Sequence, residues 1–365
     1  MGFMIKLYGS QFSLFTGKIR SYLNKKGIQF EEVTATPSVY KNFIIPRTGV
    51  GYIPVLQTDD DFVIQDTTVI IDALEELYPE SSVYPSTPKQ KLASLLLEVY
   101  ADEWLVIPAM HYRWNFPEQN NKFIYAEFGS LVLPSGPKFV QRIVGKKFGS
   151  KFKGFVPRLG ITSDNIPALE ASYEQLLSDL NSHFKEHDYL FGGRPSIGDF
   201  GLIGPLYAHL YRDPAPGQLM RLIAPEVCHW VERMISDDIP KGEFLVDDEV
   251  PETLMPILRR MASEHLPVLL DTDKRLSQWR QSNSNEVKVK RFIGVHKFTI
   301  EGVDSERAVL PFSLWMFKRP VDYYQSLVDT KDVDAMLLKS GFGGALKQGL
   351  ANRLSKVDNM VVFAD

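Results

Sequence analysis

The chain has 365 residues and a mass of 41.5 kDa, with 44% hydrophobic and 24% charged residues. That balance belongs to a globular protein of two to three domains and excludes long disorder, collagen and a coiled-coil rod. A formal net charge of −4 gives no overall basic field for a phosphate backbone, so nucleic acid is not an expected partner.

The single cysteine, Cys228, excludes an internal disulfide framework and any cysteine-rich metal site. No apolar run approaches the roughly 18 to 20 residues that span a bilayer. Met1 to Lys6 carries neither a signal-peptide nor a myristoylation pattern. A cytoplasmic address and no membrane partner are therefore expected.

In chain order, Phe3 to Tyr8 reads as a strand, Ser13 to Lys26 as a helix closed by Gly27, and Ile28 to Thr34 as a second strand, the start of a βαβ unit. Tyr52 to Gln57 and Phe62 to Ile64 flank the polar turn Thr58-Asp59-Asp60-Asp61 and predict a hairpin. Asp66 to Tyr78 follows as a helix with Val69, Ile70, Ala73, Leu74 and Leu77 on one face. From Ser86, past Pro85 and Pro88, strand signals stop. Leu92, Leu95, Leu96 and Tyr100, and later Leu169, Tyr173, Leu176, Leu177, Leu180 and Phe184, keep helical spacing. Residues 129 to 165, rich in Gly, Lys and Phe, read as a loop-rich excursion.

Ser196 and Asp199 have the spacing of a capping box opening the helix that carries Phe200, Ile203 and Leu206. Beyond about residue 236, Pro251 to Gln281 predicts helix interrupted at Pro256 and Pro267. A β-rich stretch from Val287 to Ile300 then turns at Gly302 to Asp304 toward a partner strand over Ala308 to Met316, and Val333 to Leu338 returns to helical spacing. Gly341-Phe342-Gly343-Gly344 lacks the Lys and Ser/Thr of a phosphate loop and reads as a turn.

The richest chemistry lies where the first strand passes into the first helix, at Ser10 to Arg20. A hydroxyl at a helix N-terminus lies beside unpaired amides and the positive end of the dipole, which favours an anion; Ser13 as a plain cap is the alternative. His183 and His187 stand four apart as metal ligands can, but no third ligand joins them, and no metal is expected. Trp104, His111, Tyr112 and Trp114 form an aromatic-rich stretch that serves either a core or a pocket.

Ser13-Leu14-Phe15-Thr16, Ile53-Pro54, Asp66-Thr67 opening a helix, and the Ser196-Asp199 box in an all-helical region together resemble the cytosolic glutathione transferase superfamily, serine-type, over roughly residues 1 to 235. The resemblance implies a thioredoxin-like glutathione-binding domain at 1–85, an all-helical domain at 86–235, and an α+β extension of unassigned role at 236–365. It implies that Ser13, with Ser10 as second candidate, hydrogen-bonds the glutathione sulfur. Ile53, ahead of a cis Pro54, would pair with the cysteinyl part, and Asp66 and Thr67 would receive the γ-glutamyl end, where the family usually has Glu-Ser.

By the same resemblance glutathione is co-substrate, the second substrate is a small apolar electrophile bound near Trp104, His111, Tyr112 and Trp114, the role is detoxification, and the chain pairs as a homodimer. A non-catalytic scaffold on the same fold, or a glutathione-dependent lyase, isomerase or dehalogenase, are the rival readings. With Cys228 far along the helical part, disulfide exchange through an enzyme cysteine is not expected.

Overall fold

A computed structural model describes residues 5–364. Phe3 and Met4 of the first expected strand lie outside that range. In chain order the main elements are β1 (Ile5–Gly9), α1 (Leu14–Lys25), β2 (Phe30–Thr34), β3 (Val55–Gln57), β4 (Val63–Gln65), α2 (Thr67–Leu77), α3 (Pro88–Val99), α4 (Val106–Trp114), α5 (Pro117–Val132) and α6 (Lys138–Lys153). There follow α7 (Ile166–Phe184), α8 (Ile197–Pro205), α9 (Pro214–Ile223), α10 (Pro225–Ile235), α11 (Met255–Arg260) and α12 (Leu266–Ser282). The chain closes with β5 (Val295–Ile300), β6 (Val303–Ala308), α13 (Pro311–Ser326), α14 (Lys331–Lys339), α15 (Ala345–Gln348), β7 (Leu354–Val357) and β8 (Met360–Phe363). A thioredoxin-like N-terminal part is thus followed by helices, and further helices and strands extend the C-terminus.

Compactness groups the chain differently from a linear division at 85 and 235. One unit comprises 1–83, 109–156 and 200–241; the other comprises 84–108, 157–199 and 242–365.

The first unit holds a four-stranded sheet in the order β2-β1-β3-β4, with β1 and β2 parallel and the other pairs antiparallel. α1 and α2 bury Ile19, Tyr22, Leu23, Ile70, Ile71 and Leu74. Between them Glu75 is buried but fully used: it accepts from Tyr22 at 2.7 Å, Ser82 at 2.6 Å and the Val83 amide at 3.0 Å, and pairs with Lys26 at 3.0 Å. At the far end of α1, Ser21 donates to the Met234 carbonyl at 2.7 Å, and Lys25 to Ser236 and the Asp238 carbonyl at 3.0 and 2.9 Å.

In the second unit Asp248, from the extension, accepts from the Lys89 and Gln90 amides at 2.9 and 3.0 Å. It supplies α3 with the negative charge its N-terminus favours. Asp273 likewise accepts from the Ala351 and Asn352 amides at 2.8 and 3.0 Å. Of the Ser196-Asp199 box the return half is present: the Ser196 amide donates to Asp199 at 2.8 Å, and the Ser196 hydroxyl donates to the same carboxylate at 2.9 Å.

Several stretches depart from the sequence expectation: of the β-rich stretch from Val287 to Ile300 only Val295–Ile300 is strand, and helical backbone runs through Pro267 without a break. Residues 129 to 165 are largely helix rather than loop, because the inner faces of α5 and α6 meet through glycine. A Cβ on Gly145 would lie 2.0 Å from the Tyr125 carbonyl oxygen, and one on Gly129 2.1 Å from that of Gln141. Backbone meets backbone there, so the apolar stripe that reveals a packed helix is missing. The expected strand over Ala308 to Met316, including the apolar run to Phe317, is instead the start of α13. Pro311 sits in its first turn, and Leu314, Phe317, Val321 and Tyr324 continue its buried face past the run's end. The strand partner of β5 is β6, whose register pairs Ile300 with Val303. The β7–β8 hairpin was not expected; its turn is Asp358-Asn359, both at positive φ.

Candidate active site

The sheet register assembles one end of the first unit. Tyr8 pairs with Val55, and Val55 with Gln65. The next residues outward, Gly9, Pro54 and Asp66, therefore leave the sheet abreast, and Ser10, Ile53 and Thr67 follow them. The Ile53–Pro54 peptide is cis, as expected. α1 and α2 both begin at this end, so two helix N-termini present their positive ends there.

Ser13 is the N-cap of α1, its hydroxyl accepting from the Thr16 amide at 3.3 Å. A cap uses a lone pair and leaves the hydroxyl proton available to donate. Ser10 lies three residues earlier, its carbonyl accepting from the Ser13 amide at 3.1 Å and its amide donating to Thr16 Oγ1 at 3.3 Å. It is only 4% exposed, and its own hydroxyl has no hydrogen-bond partner among the described residues. Gly9 permits this tight passage, since a Cβ there would fall 2.2 Å from the Thr16 side chain. Asp66 holds φ +92°, and its carboxylate accepts from the Thr68 amide at 3.1 Å, capping α2; Thr67 is the first residue of that helix. Asp66 and Thr67 are both buried.

The aromatic candidates fall into two groups. His111, Tyr112 and Trp114 lie on α4, all buried. His111 bonds Asn115 at 2.9 Å and packs edge-on against Tyr112 and Phe116. Trp114 stacks on Phe128, which also meets Phe148 and Phe152. Trp104 lies in the second unit, where Nε1 donates to Glu264 at 3.1 Å, His265 stacks on its ring, Phe298 meets it edge-on, and the Arg307 guanidinium sits 5.3 Å from a ring centroid. A small cleft in that unit is lined by Tyr100, Trp104, Leu169, Ser172, Tyr173 and Ile300.

Sequence reasoning passed over Phe12, although it stands inside the Ser10 to Arg20 motif. Its ring packs on Phe128 at 4.7 Å between centroids, and the Arg113 guanidinium lies 5.6 Å from it. Arg113 itself forks onto Asp213 at 2.7 and 2.9 Å, with both groups buried. Burial pushes the Asp213 carboxyl up to about 7, against the downward pull of Arg113. Arg212 donates to the Gln11 carbonyl at 3.0 Å and pairs with Glu127, so the Ser10–Ser13 turn is tied to this charged network. The pairings of Phe12 with Phe128 and of Arg113 with Asp213 are long-range and leave no local pattern in the sequence. Cys228 is buried on α10, and burial pushes its thiol up, away from the reactive thiolate.

Residues 7–82 match the family model for the glutathione S-transferase N-terminal domain, and residues 164–238 that for its C-terminal domain. A glutathione S-transferase of Pseudomonas putida is 31% identical over 112 residues, covering 29% of this chain and 47% of its own. One from Triticum aestivum is 34% identical over 87 residues, covering 23% and 39%. Glutathione S-transferase omega-1 of Mus musculus is 24% identical over 87 residues, covering 24% and 36%. The chain spans between about a third and a half of the length of these curated relatives. Among solved structures, the β-etherase LigF of Sphingobium sp. strain SYK-6 aligns over 63% of this chain and 94% of its own at 19% identity, with a TM-score of 0.44, too slight a likeness to carry weight. The N-terminal sheet and the later helices thus each match a domain of one family, the glutathione S-transferases.

Proposed function

We propose that the protein binds glutathione at the sheet end formed by the Ser10–Ser13 turn, Ile53–Pro54 and Asp66–Thr67, and activates its thiol for attack on an apolar electrophile. The observation that carries this reading is the register that sets the three segments abreast beside two helix N-termini. Ser13 donates to the sulfur while remaining the cap of α1, the Ile53 backbone pairs with the cysteinyl part, and Thr67 with the α2 N-terminus holds the γ-glutamyl carboxylate. Asp66, already accepting from Thr68, fixes that helix start.

A hydrogen bond to a charged group contributes about 1.5 to 3 kcal/mol, or roughly one to two pKa units, which brings a thiol near 8.5 down to about 6.5 to 7.5. Phe12, inside this turn and packed on Phe128, supplies apolar surface beside it for the electrophile. Conjugation, ether cleavage, isomerisation and dehalogenation share that thiolate and are separated by the product formed. A two-fold homodimer accompanies the reading and is measured by sedimentation.

Calorimetric titration with reduced glutathione from pH 5.5 to 8.5 tests the proposal. Saturable binding with proton release near neutral pH is expected, whereas no binding at millimolar ligand would move the reading to a non-catalytic scaffold. Ser13→Ala is expected to lower kcat/KM by roughly 10- to 150-fold and abolish the proton release. A specific rival exists in Ser10, whose buried hydroxyl is uncommitted. If Ser13→Ala leaves both quantities unchanged and Ser10→Ala removes them, the thiol partner is Ser10.

A further inference from the structure

α6 exposes apolar side chains on the face turned away from its packing partners. Its inner face includes Gly145 and Gly149, pressed against Tyr125, Gly129, Phe128 and Trp114, with Phe148 and Phe152 also meeting Phe128. Its outer face carries Phe139 and Ile143, each 68% exposed and one helical turn apart. Two large apolar side chains are thus left in water while glycine occupies part of the packed face, which Phe148 and Phe152 complete.

The charge on this helix is as one-sided as its hydrophobicity. Lys138, Arg142, Lys146, Lys147, Lys151 and Lys153 are all exposed, and the helix has no acidic residue. None of the six makes an ion pair with a carboxylate among the described residues; Lys151 has only the ring of Phe148 beneath it. Lys138 and Arg142, Arg142 and Lys146, and Lys147 and Lys151 are like charges at i,i+4, a spacing at which they repel. In a chain of net charge −4 this concentration is local.

We infer that α6 is a docking helix for an anionic lipid surface, lying along it with Phe139 and Ile143 inserted at the level of the headgroups and the basic side chains on the phosphates. An amphipathic helix with large apolar side chains on one stripe and Lys and Arg flanking it is what such a surface binds. The expectation of no membrane partner rested on the lack of a spanning run. Among the described residues no helix is long and apolar enough to cross a membrane, and this one has no need to. Nucleic acid would use the cations but leave Phe139 and Ile143 without a role. A second copy of the chain meeting this face across a two-fold axis would oppose six unpaired cations with six more.

The full-length protein is sedimented with vesicles of phosphatidylcholine alone and of phosphatidylcholine with about 30% phosphatidylserine, at low and high salt. Binding to the anionic vesicles only, weakened by salt, is expected. Lys146→Gln/Lys147→Gln is expected to reduce partitioning about twenty- to thirtyfold, at roughly fivefold per charge removed. Phe139→Ser/Ile143→Ser is expected to reduce it at least tenfold. All four substitutions are at exposed positions, and unchanged thermal melting shows that the fold is retained.

No binding to the anionic vesicles overturns the proposal, as does binding to anionic vesicles that both double variants leave intact. Tighter binding to a duplex oligonucleotide that survives Phe139→Ser/Ile143→Ser assigns the face to nucleic acid instead. Self-association that the same variant abolishes assigns it to a second copy.

Discussion

Asp213→Ala is expected to destabilise the first unit by about 3 to 5 kcal/mol, because it leaves the buried Arg113 guanidinium with only the shared, longer contact to Glu127 at 3.4 Å. The reverse truncation, Arg113→Met, is expected to cost less below about pH 7. Burial already pushes the Asp213 carboxyl up, and without the guanidinium it takes a proton and becomes neutral. Removing both charges together, as Arg113→Met/Asp213→Leu, should recover most of the loss, since an apolar pair of similar volume avoids the desolvation that the ion pair must offset. Urea unfolding of the three variants at pH 6 and pH 8 distinguishes these cases. A loss below about 1 kcal/mol for Asp213→Ala would show that Arg113 is adequately solvated or paired without it. Because Arg113 lies against Phe12, weaker glutathione affinity should accompany the loss of stability, which a purely remote packing defect would not produce.

Acidification from pH 7 to pH 5 is expected to weaken the fold by several kcal/mol, chiefly through histidines held neutral by burial. Burial lowers His183 to about 3 and His296 to about 4, and sets His209 and His265 well below the usual imidazole value. Neighbouring Arg307 lowers both His265 and His296 further, and Arg113 lowers His209. The Asp271 carboxylate, at 3.1 Å from His296, pulls the other way.

A folded-state value below the unfolded one means that the unfolded chain binds protons first. Stability is therefore complete above about 6.5 and falls as pH drops through the range down to the folded values. At pH 5 each such histidine removes about 2 kcal/mol at most, from 1.36 kcal/mol per pH unit. His183, His265 and His296 belong to the second unit and His209 to the first, where the raised Asp213 carboxyl takes up a proton in the folded state over the same range and offsets part of the loss, so the loss should be larger in the second. Hydrogen exchange at pH 5 and 7, corrected for intrinsic rates, reads this unit by unit. Equal protection at both pH values would mean that these rings gain protons in the folded state.

The parts of this architecture that were legible in the sequence are those whose cause is local. Ser13 capping α1, Asp66 at the start of α2 and the return bond from the Ser196 amide to Asp199 each depend on a few consecutive residues and appear where the sequence put them, whereas the cis Pro54 was implied by the family resemblance. The stretch from 129 to 165 was misread because glycine-to-glycine packing erases the apolar period. Ala308 to Met316 was misread because a short apolar run fits strand and helix alike until its continuation to Tyr324 is weighed. The site's surroundings were the least legible. Phe12 meets Phe128 and Arg113 meets Asp213 across more than a hundred residues in one case and a hundred in the other, and no window of sequence contains both partners.

The clasp between the end of α1 and residues 234–238 also sets a timetable for synthesis. Ser21 bonds to Met234, 213 residues later in the chain. At roughly 5 to 20 residues per second, α1 emerges some 10 to 40 s before the strand of backbone that closes over it. During that interval Lys25 and the glycine turn beside it face water with no Ser236, Asp238 or Ile239 to cover them. The sheet and its two helices must either hold together on their own contacts or be shielded by a chaperone until the ribosome has passed residue 241, where the first unit ends.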